Sequence, residues 1–220
     1  MELKVIFQTA RCATLEIEDG SIYKLEKEKE IYVNGQWYGT TTKVVFSVYG
    51  LEPDTDYVIG AAGPDGKTEV AFHTQKEFIT LNVKDFGAKG DGVQDDTLFI
   101  QAAILSCPPE SRVLIPDGIY KITSLFLKSN LRLELAKGAV LSAKTDRDQF
   151  PILKDMVKSY DGEMEYNLGT WEGNPEDCFS SIITGICVEN VEIYGQGVID
   201  GNASKENWWH EPKIKRVAYR

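Results

Sequence analysis

Between Asn82 and Cys107 the chain reads NVKDFGAKGDGVQDDTLFIQAAILSC, and this stretch restricts the fold more than any other. A short β-favouring run enters a corner containing Gly87, Gly90 and Gly92 and leaves it as an acid-led apolar helix. Glycines so placed supply positive backbone angles for a tight corner. A phosphate-binding loop is spaced differently: here the order is G-x-x-G-x-G, with no Gly-Lys-Ser/Thr and no alternation of strands and helices afterwards. Asp95 or Asp96 is positioned to cap the helix and to complement its positive end. Leu98, Phe99, Ile100, Ala102, Ala103, Ile104, Leu105 and Cys107 run nearly round its circumference, leaving Thr97 and Gln101 as a narrow polar stripe. A helix apolar all round is expected to be buried on two sides, one of them closing a stack of strands. Pro108-Pro109 ends it.

Ahead of the corner, seven β-favouring runs alternate with turn signals: KVIFQTA, ATLEIE, IYKLEKE, EIYVNGQWYG, KVVFSVYG, DYVIGAAG and TEVAFHT. Seven short strands with Asn34-Gly35 and Pro64-Asp65-Gly66 as turns predict a small β-sandwich over residues 1–76, followed by a linker at 77–81. In Leu51-Glu52-Pro53-Asp54-Thr55-Asp56-Tyr57 the tyrosine is placed to bond back across a sheet corner while its ring fills the core. This L-x-P-x-T-x-Y segment resembles a fibronectin type III domain, although the second run lacks that family's usual tryptophan. Tyr32, Trp37 and Tyr38 are read as core or edge-strand residues, with a binding patch as the alternative.

Beyond the helix come RVLIPDGIYKI, SLFLKS, NLRLELAKGAVLSA and SSIITGICVENVEIYGQGVIDGN, very short strands with no second helix. Leu131, Leu133 and Leu135 alternate with Arg132 and Glu134, the period of a strand with one buried face. Asn130-Leu131-Arg132-Leu133 is echoed by Asn190-Val191-Glu192-Ile193, and Gly138-Ala139-Val140-Leu141 by Gly197-Val198-Ile199. One coil of a parallel β-helix takes about 20–25 residues, whereas Asn190 lies 60 residues beyond Asn130. An insertion at about 145–177, rich in charge and aromatics, accounts for the excess. Insertions of this kind lie on one face of a solenoid and often line its binding site. Tyr160, Tyr166 and Trp171 within it, and Trp209 after the last turn, are the candidates for stacking on sugar rings.

A formal charge of −10 argues against a nucleic-acid surface, and no apolar run is long enough to cross a membrane. The basic cluster Lys205, Lys213, Lys215, Arg216 and Arg220 reads as a solvated tail. Cys12, Cys107, Cys178 and Cys187 form no C-x-x-C pair and have no nearby histidine, so free and mostly buried thiols are expected and no metal site. MELKVIFQTA does not resemble a signal peptide, which predicts a cytoplasmic location.

FGAKGDGVQDDT with its helix, followed by VLIPDGIY, is similar to the start of many pectin-lyase-like right-handed β-helices. Trp171-Glu172-Gly173, the turn Gly195-Gln196-Gly197-Val198-Ile199-Asp200-Gly201 and Trp208-Trp209 narrow the resemblance to the polygalacturonases of glycoside hydrolase family 28. A fibronectin-like domain in front resembles the bacterial exo-acting members. The fold so implied is all-β: a fibronectin type III-like sandwich, then the helix-capped start of a right-handed parallel β-helix over 82–220. The resemblance implies inverting hydrolysis of α-1,4-galacturonan, with pectic polysaccharide or oligogalacturonide as the partner and no cofactor.

That family's Asn-Thr-Asp, Asp-Asp, Gly-His-Gly and Arg-Ile-Lys motifs have no counterpart in this sequence. Asp95-Asp96 is assigned to the cap, Lys213-Ile214-Lys215 follows no histidine motif, and His73 and His210 lack glycine neighbours. No catalytic residue is therefore assigned, and these residues alone are expected to be inactive as the amino-terminal piece of a longer enzyme. A pectate lyase, a phage-type depolymerase and a non-catalytic carbohydrate-binding β-helix are the alternatives.

Overall fold

The alternation of inward apolar and outward polar residues in the first strands produces two facing sheets. A computed structural model describes residues 1–207, and its contacts divide the chain into Met1–Phe78 and Ile79–Arg220. The first unit contains β1 (Glu2–Gln8), β2 (Cys12–Glu18), β3 (Lys24–Val33), β4 (Gln36–Lys43), β5 (Val45–Tyr49), β6 (Asp56–Gly63) and β7 (Gly66–His73). They form antiparallel sheets in the orders β1-β2-β5 and β4-β3-β6-β7. The third predicted run and the first half of the fourth fuse into the single strand β3, because the hairpin turn falls at Asn34-Gly35, both at positive φ.

Leu15, Ile17, Ile31, Val48 and Ile59 fill the space between the two sheets in place of a core tryptophan. The Glu52 amide donates to the Tyr57 hydroxyl at 2.9 Å, and the Tyr57 ring stacks on Phe72 with centroids 6.1 Å apart. His73 continues this corner: its Nε2 lies 2.9 Å from Asp54 Oδ1 and its Nδ1 2.8 Å from Asp56 Oδ1.

The second unit winds in coils, each adding one rung to parallel sheets. In one sheet β8 (Thr80–Asn82), β10 (Arg112–Ile115), β13 (Leu131–Leu135) and β22 (Val191–Gly195) lie in the order β22-β13-β10-β8. A second contains β9 (Asp91–Asp95), β11 (Gly118–Ile122), β14 (Ala139–Ala143) and β23 (Val198–Asp200), and a third pairs β12 (Leu125–Phe126) with β21 (Ile183–Thr184). Thr80 and Leu81, expected in a linker, thus belong to the first rung.

Arg112 pairs with Arg132, so a coil without insertion advances the chain by 20 residues. Leu131 pairs with Val191, and the Asn190 side-chain amide donates to Asn130 Oδ1 at 3.0 Å, which fixes the repeat of 60. The second repeat is one residue out of the Gly138-to-Gly197 alignment, since Val140 faces Val198. The turn that follows Gly195 is two residues shorter than the one that follows Leu135, and at Gly195, φ 118°, a Cβ would lie 2.1 Å from the Leu135 carbonyl oxygen. Inward side chains stack in columns, Val113 over Leu133 over Ile193 and Tyr120 over Leu141 over Ile199.

Helix α1 (Thr97–Ser106) closes the first coil. Ile100, Ala103 and Ile104 are buried in the stack, but Leu98 and Leu105 are 79% and 63% exposed, so the helix is buried along one stripe rather than on two sides. Its polar stripe faces the strands. Gln101 donates to the Phe126 carbonyl at 2.8 Å and accepts from the Phe126 amide at 2.7 Å, acting as one more strand partner for β12. The Thr97 hydroxyl accepts from the Thr123 amide at 2.9 Å.

The two acids at the head of α1 do different work from simple caps. Asp95 accepts from the Thr97 amide at 3.0 Å and hydroxyl at 2.6 Å, and from Lys144 at 2.5 Å. Burial opposes its charge, yet Lys144 and Thr97 together hold its carboxyl below the usual range. Asp96 is fully buried and makes no side-chain bond to the helix. It accepts instead from the amides of Lys89 at 2.9 Å and Gly90 at 3.0 Å, and from Gln94 Nε2 at 2.8 Å.

Gly87, Gly90 and Gly92 all have positive φ, as the corner requires. A Cβ on Gly90 would meet the buried Tyr120 ring at 2.7 Å. The Tyr120 hydroxyl has no partner among the described residues. Burial, then the charges of Asp96 and Asp117, push its pKa up to about 12.

Two predictions follow from these contacts. Urea unfolding of the chain, followed by circular dichroism, should rank corner variants. Gly92→Ala should cost about 1 kcal/mol from the left-handed angle alone, since a side chain there meets Ile119 at an ordinary 3.6 Å. Gly90→Ala, with overlap added, should cost about 2–4 kcal/mol, and Asp96→Asn, which strands buried donors, about 2–3 kcal/mol. Equal costs for the two glycines would contradict the packing described.

The second concerns the first unit. Hydrogen bonds that Asp54 and then Asp56 accept from the ring raise the His73 pKa above its usual 6.5. Its contribution is therefore complete below pH 6.5 and lost as pH rises through the folded value. The His73 bond lowers the Asp54 pKa below 3.8, so that carboxylate's contribution is lost only as pH falls through the lowered value. The melting temperature of this unit should decline from about pH 6 to about pH 8, and His73→Asn should flatten that slope.

Candidate functional site

The insertion leaves the stack after β14 and returns at β21, and its turn-forming residues break it into short antiparallel pieces. β15 (Ile152–Leu153) pairs with β20 (Cys178–Phe179), β16 (Val157–Lys158) with β17 (Glu165–Tyr166), and β18 (Thr170–Trp171) with β19 (Asn174–Pro175). The turn joining the last pair is Glu172-Gly173, both at positive φ, so Trp171-Glu172-Gly173 is a hairpin signature.

Tyr160 projects fully into solvent from the β16–β17 hairpin. Tyr166 is half-buried in β17, with its hydroxyl 3.8 Å from Met164 Sδ. Trp171 is 67% exposed in the next hairpin. Trp209, like Lys213-Ile214-Lys215, lies outside the described residues.

A cavity of this unit sits at the base of the insertion rather than among those aromatics. It has a volume of about 790 Å³ and is lined by Arg147, Phe150, Phe179, Ser180–Ile183, Ile199, Gly201 and Ala203. A neighbouring recess of about 340 Å³ shares Phe150 and Phe179 and adds Asp148, Ile152, Lys154 and Asp177. Tyr160, Tyr166 and Trp171 line neither.

Sequence reasoning missed Arg147, Phe150 and Phe179. Two signals were available: Phe150 precedes Pro151 where the insertion leaves the stack, and Cys178-Phe179 begins its return. Antiparallel pairing of Ile152 with Phe179 brings these two ends together. The Ser124 and Ser180 hydroxyls, 2.5 Å apart, tie the return to the preceding coil.

Carboxylates of this unit are set for structure. Asp177 is held below the usual carboxylate range by Lys154 first and then the Asp155 amide, and Asp161 by Ser159 and the Glu163 amide. The amides of Gln94 and Val93 do the same for Asp91. A general acid working near neutrality needs the opposite shift, and each resolved carboxylate shift among the described residues of this unit is downward. No group of three or more His, Cys, Asp or Glu among the described residues is arranged to hold a metal ion. Cys12 and Cys107 are buried as expected, whereas Cys178 is half-buried and Cys187 exposed, so burial is not general.

Comparison with known proteins places this arrangement. Residues 80–139 match the family model for rhamnogalacturonase A/epimerase, pectate lyase-like. The chain is 32% identical over 167 residues to an exo-poly-α-D-galacturonosidase of Dickeya chrysanthemi, covering 73% of this chain and 27% of that protein. A mannuronan C5-epimerase of Azotobacter vinelandii is 34% identical over 118 residues, 47% of this chain and 8% of its own length.

Among solved structures, the family 28 exopolygalacturonase of Yersinia enterocolitica superposes with a TM-score of 0.63 at 27% identity, covering 91% of this chain and 41% of that one. The chain thus spans about a quarter of the Dickeya protein and well under half of the Yersinia one. By sequence and by fold, the chain is similar to pectin-lyase-like β-helix proteins that include a family 28 exopolygalacturonase, over a part of their length.

Proposed function

We propose that this chain is the capped start of an enzyme that hydrolyses α-1,4-linked galacturonan with inversion, removing units from a chain end. The observation that carries the reading is the conjunction of the glycine corner and its parallel rungs with 32% identity to a protein named as an exo-acting galacturonosidase. The exo assignment is further supported by the name of the Yersinia structure. A fibronectin type III character for the first unit is supported by the Glu52–Tyr57 bond and by the division into three and four strands.

Inverting hydrolysis needs two carboxyl groups about 6.5–9.5 Å apart with a water between them, one of them an acid with a raised pKa. Asp91, Asp95, Asp161 and Asp177 accept hydrogen bonds that favour their charged form, and with the family's acidic motifs missing from this sequence the reading assigns that pair to other coils. The stack is suited to receive them. Ile193 and Ile199 are 41% and 45% exposed, while Leu133 and Leu141, their partners one rung earlier, are fully buried. Another rung laid on that face would bury both side chains, worth about 1–2 kcal/mol each at this partial exposure.

On this reading, the insertion forms a wall beside the substrate, with Tyr160 and Trp171 available to stack on sugar rings. A second reading, elimination rather than hydrolysis, draws support from the pectate lyase-like family model matched by residues 80–139.

Incubation of the 220-residue chain with polygalacturonate should release no galacturonic acid; release would refute the assignment of the catalytic pair to other coils. A polypeptide carrying this region together with further coils should release saturated monomer. Ultraviolet-absorbing unsaturated products from it would replace the hydrolase reading with elimination.

A further inference from the structure

The outer face of the four-stranded sheet in the first unit carries an organised strip. Residues 28, 30 and 32 of β3 point away from the core, alternating with buried Lys29 and Ile31. Tyr32 pairs with Trp37 of β4, whose indole is 65% exposed. Along the same face the Tyr32 hydroxyl donates to Glu30 Oε2 at 2.8 Å, and the Thr40 hydroxyl donates to Glu28 Oε1 at 2.9 Å. Each carboxylate is therefore oriented by a hydroxyl while retaining a second oxygen as an acceptor.

Beside this strip the sheet surface is low. Tyr32 pairs with Gly60 and Glu30 with Ala62, so β6 contributes almost no side chain. Beyond it, Glu69 and Lys67 of β7 form the far wall, paired with each other at 2.6 Å. A Cβ on Gly60 would touch Glu69 at 3.5 Å and Tyr32 at 3.7 Å, ordinary contact distances on both sides. The glycine thus leaves a shallow trough over β6, walled by Tyr32 and Glu30 on one side and Glu69 on the other, with the exposed Trp37 indole flanking Tyr32 on the same face.

We propose that this trough binds a neutral polysaccharide strand, with Trp37 stacked on one pyranose face and Glu28, Glu30 and Glu69 accepting hydrogen bonds from sugar hydroxyls. Flat apolar sugar faces suit an exposed indole, and carboxylates are acceptors that hydroxyl-rich ligands satisfy. Three carboxylates against one lysine, itself paired, disfavour a uronate polymer or any other polyanion. The ligand class therefore differs from the galacturonan assigned to the β-helix, and the trough would tether the protein to uncharged glycan.

Calorimetric titration of the whole chain with soluble β-1,4-galactan, galactomannan and hydroxyethylcellulose tests this, with polygalacturonate as the charged comparison. At least one neutral polymer should bind with nearly the same affinity at about 0.1 and about 1 M salt, as a contact without net charge on the ligand requires. Trp37→Ala should weaken it about tenfold, the scale of one lost stacking contact. Its melting temperature should be unchanged because the indole is exposed.

Gly60→Val, which fills the trough, and Glu30→Gln, which keeps shape but weakens an acceptor, should each weaken binding while leaving Trp37 in place. The proposal is overturned by no binding to any of the neutral polymers, by wild-type affinity in Trp37→Ala, or by preference for polygalacturonate. Binding abolished by salt would do so as well, indicating a basic peptide as the partner.

Discussion

A single buried carboxylate organises the start of the coil stack. Asp96 lies at the head of α1, yet its oxygens turn back to the amides of Lys89 and Gly90 and to Gln94. Taking a polar side chain out of water is costly unless its hydrogen-bonding capacity is satisfied, and here three donors converge on it. In return the chain acquires a corner that cannot relax. Gly90 is fixed where only a residue without Cβ fits under the Tyr120 ring, and the backbone is aimed into the helix that covers the first coil.

The cover then propagates order along the stack through backbone and side-chain pairs. Gln101 pairs with both backbone groups of Phe126, and Asp95 reaches Lys144, which follows the third rung of its sheet. Each coil buries its inward column on the one before, so the early coils are complete. The last described rung, with Ile193 and Ile199 partly exposed, contributes less to the core than its sequence would allow. Stability in such a stack is a sum of neighbour interfaces, and the cap supplies the first of them.

Much of this was legible because solenoids repeat. Leu131, Leu133 and Leu135 declare their inward face by alternation, and Asn130 with Asn190 marks the register through a visible echo. Tyr57 was readable in the same way, since its segment carries both the turn and the ring. What escaped depends on contacts distant in sequence. Gln101 was visible only as part of a narrow polar stripe, because nothing near it in the chain shows that β12 lies opposite. Circumferential apolarity overstated the burial of α1 for a related reason: Leu98 and Leu105 are apolar without a partner among the buried core.

The site was less legible than the fold, and the reason is chemical. Aromatic residues are conspicuous in a sequence, so Tyr160, Tyr166 and Trp171 drew attention, whereas a cavity arises from the pairing of Ile152 with Phe179, which no local pattern announces. The carboxylates carry the sharper lesson. Asp91, Asp95, Asp161 and Asp177 are an acidic inventory from which catalytic pairs could be assembled on paper, but each accepts hydrogen bonds that favour its charged form. A glycosidase acid must instead be kept protonated by burial or by a neighbouring negative charge. Residues that fasten a β-helix together and residues that protonate a leaving group therefore require opposite environments. In this chain the acidic side chains of the β-helix with resolved shifts serve the first requirement.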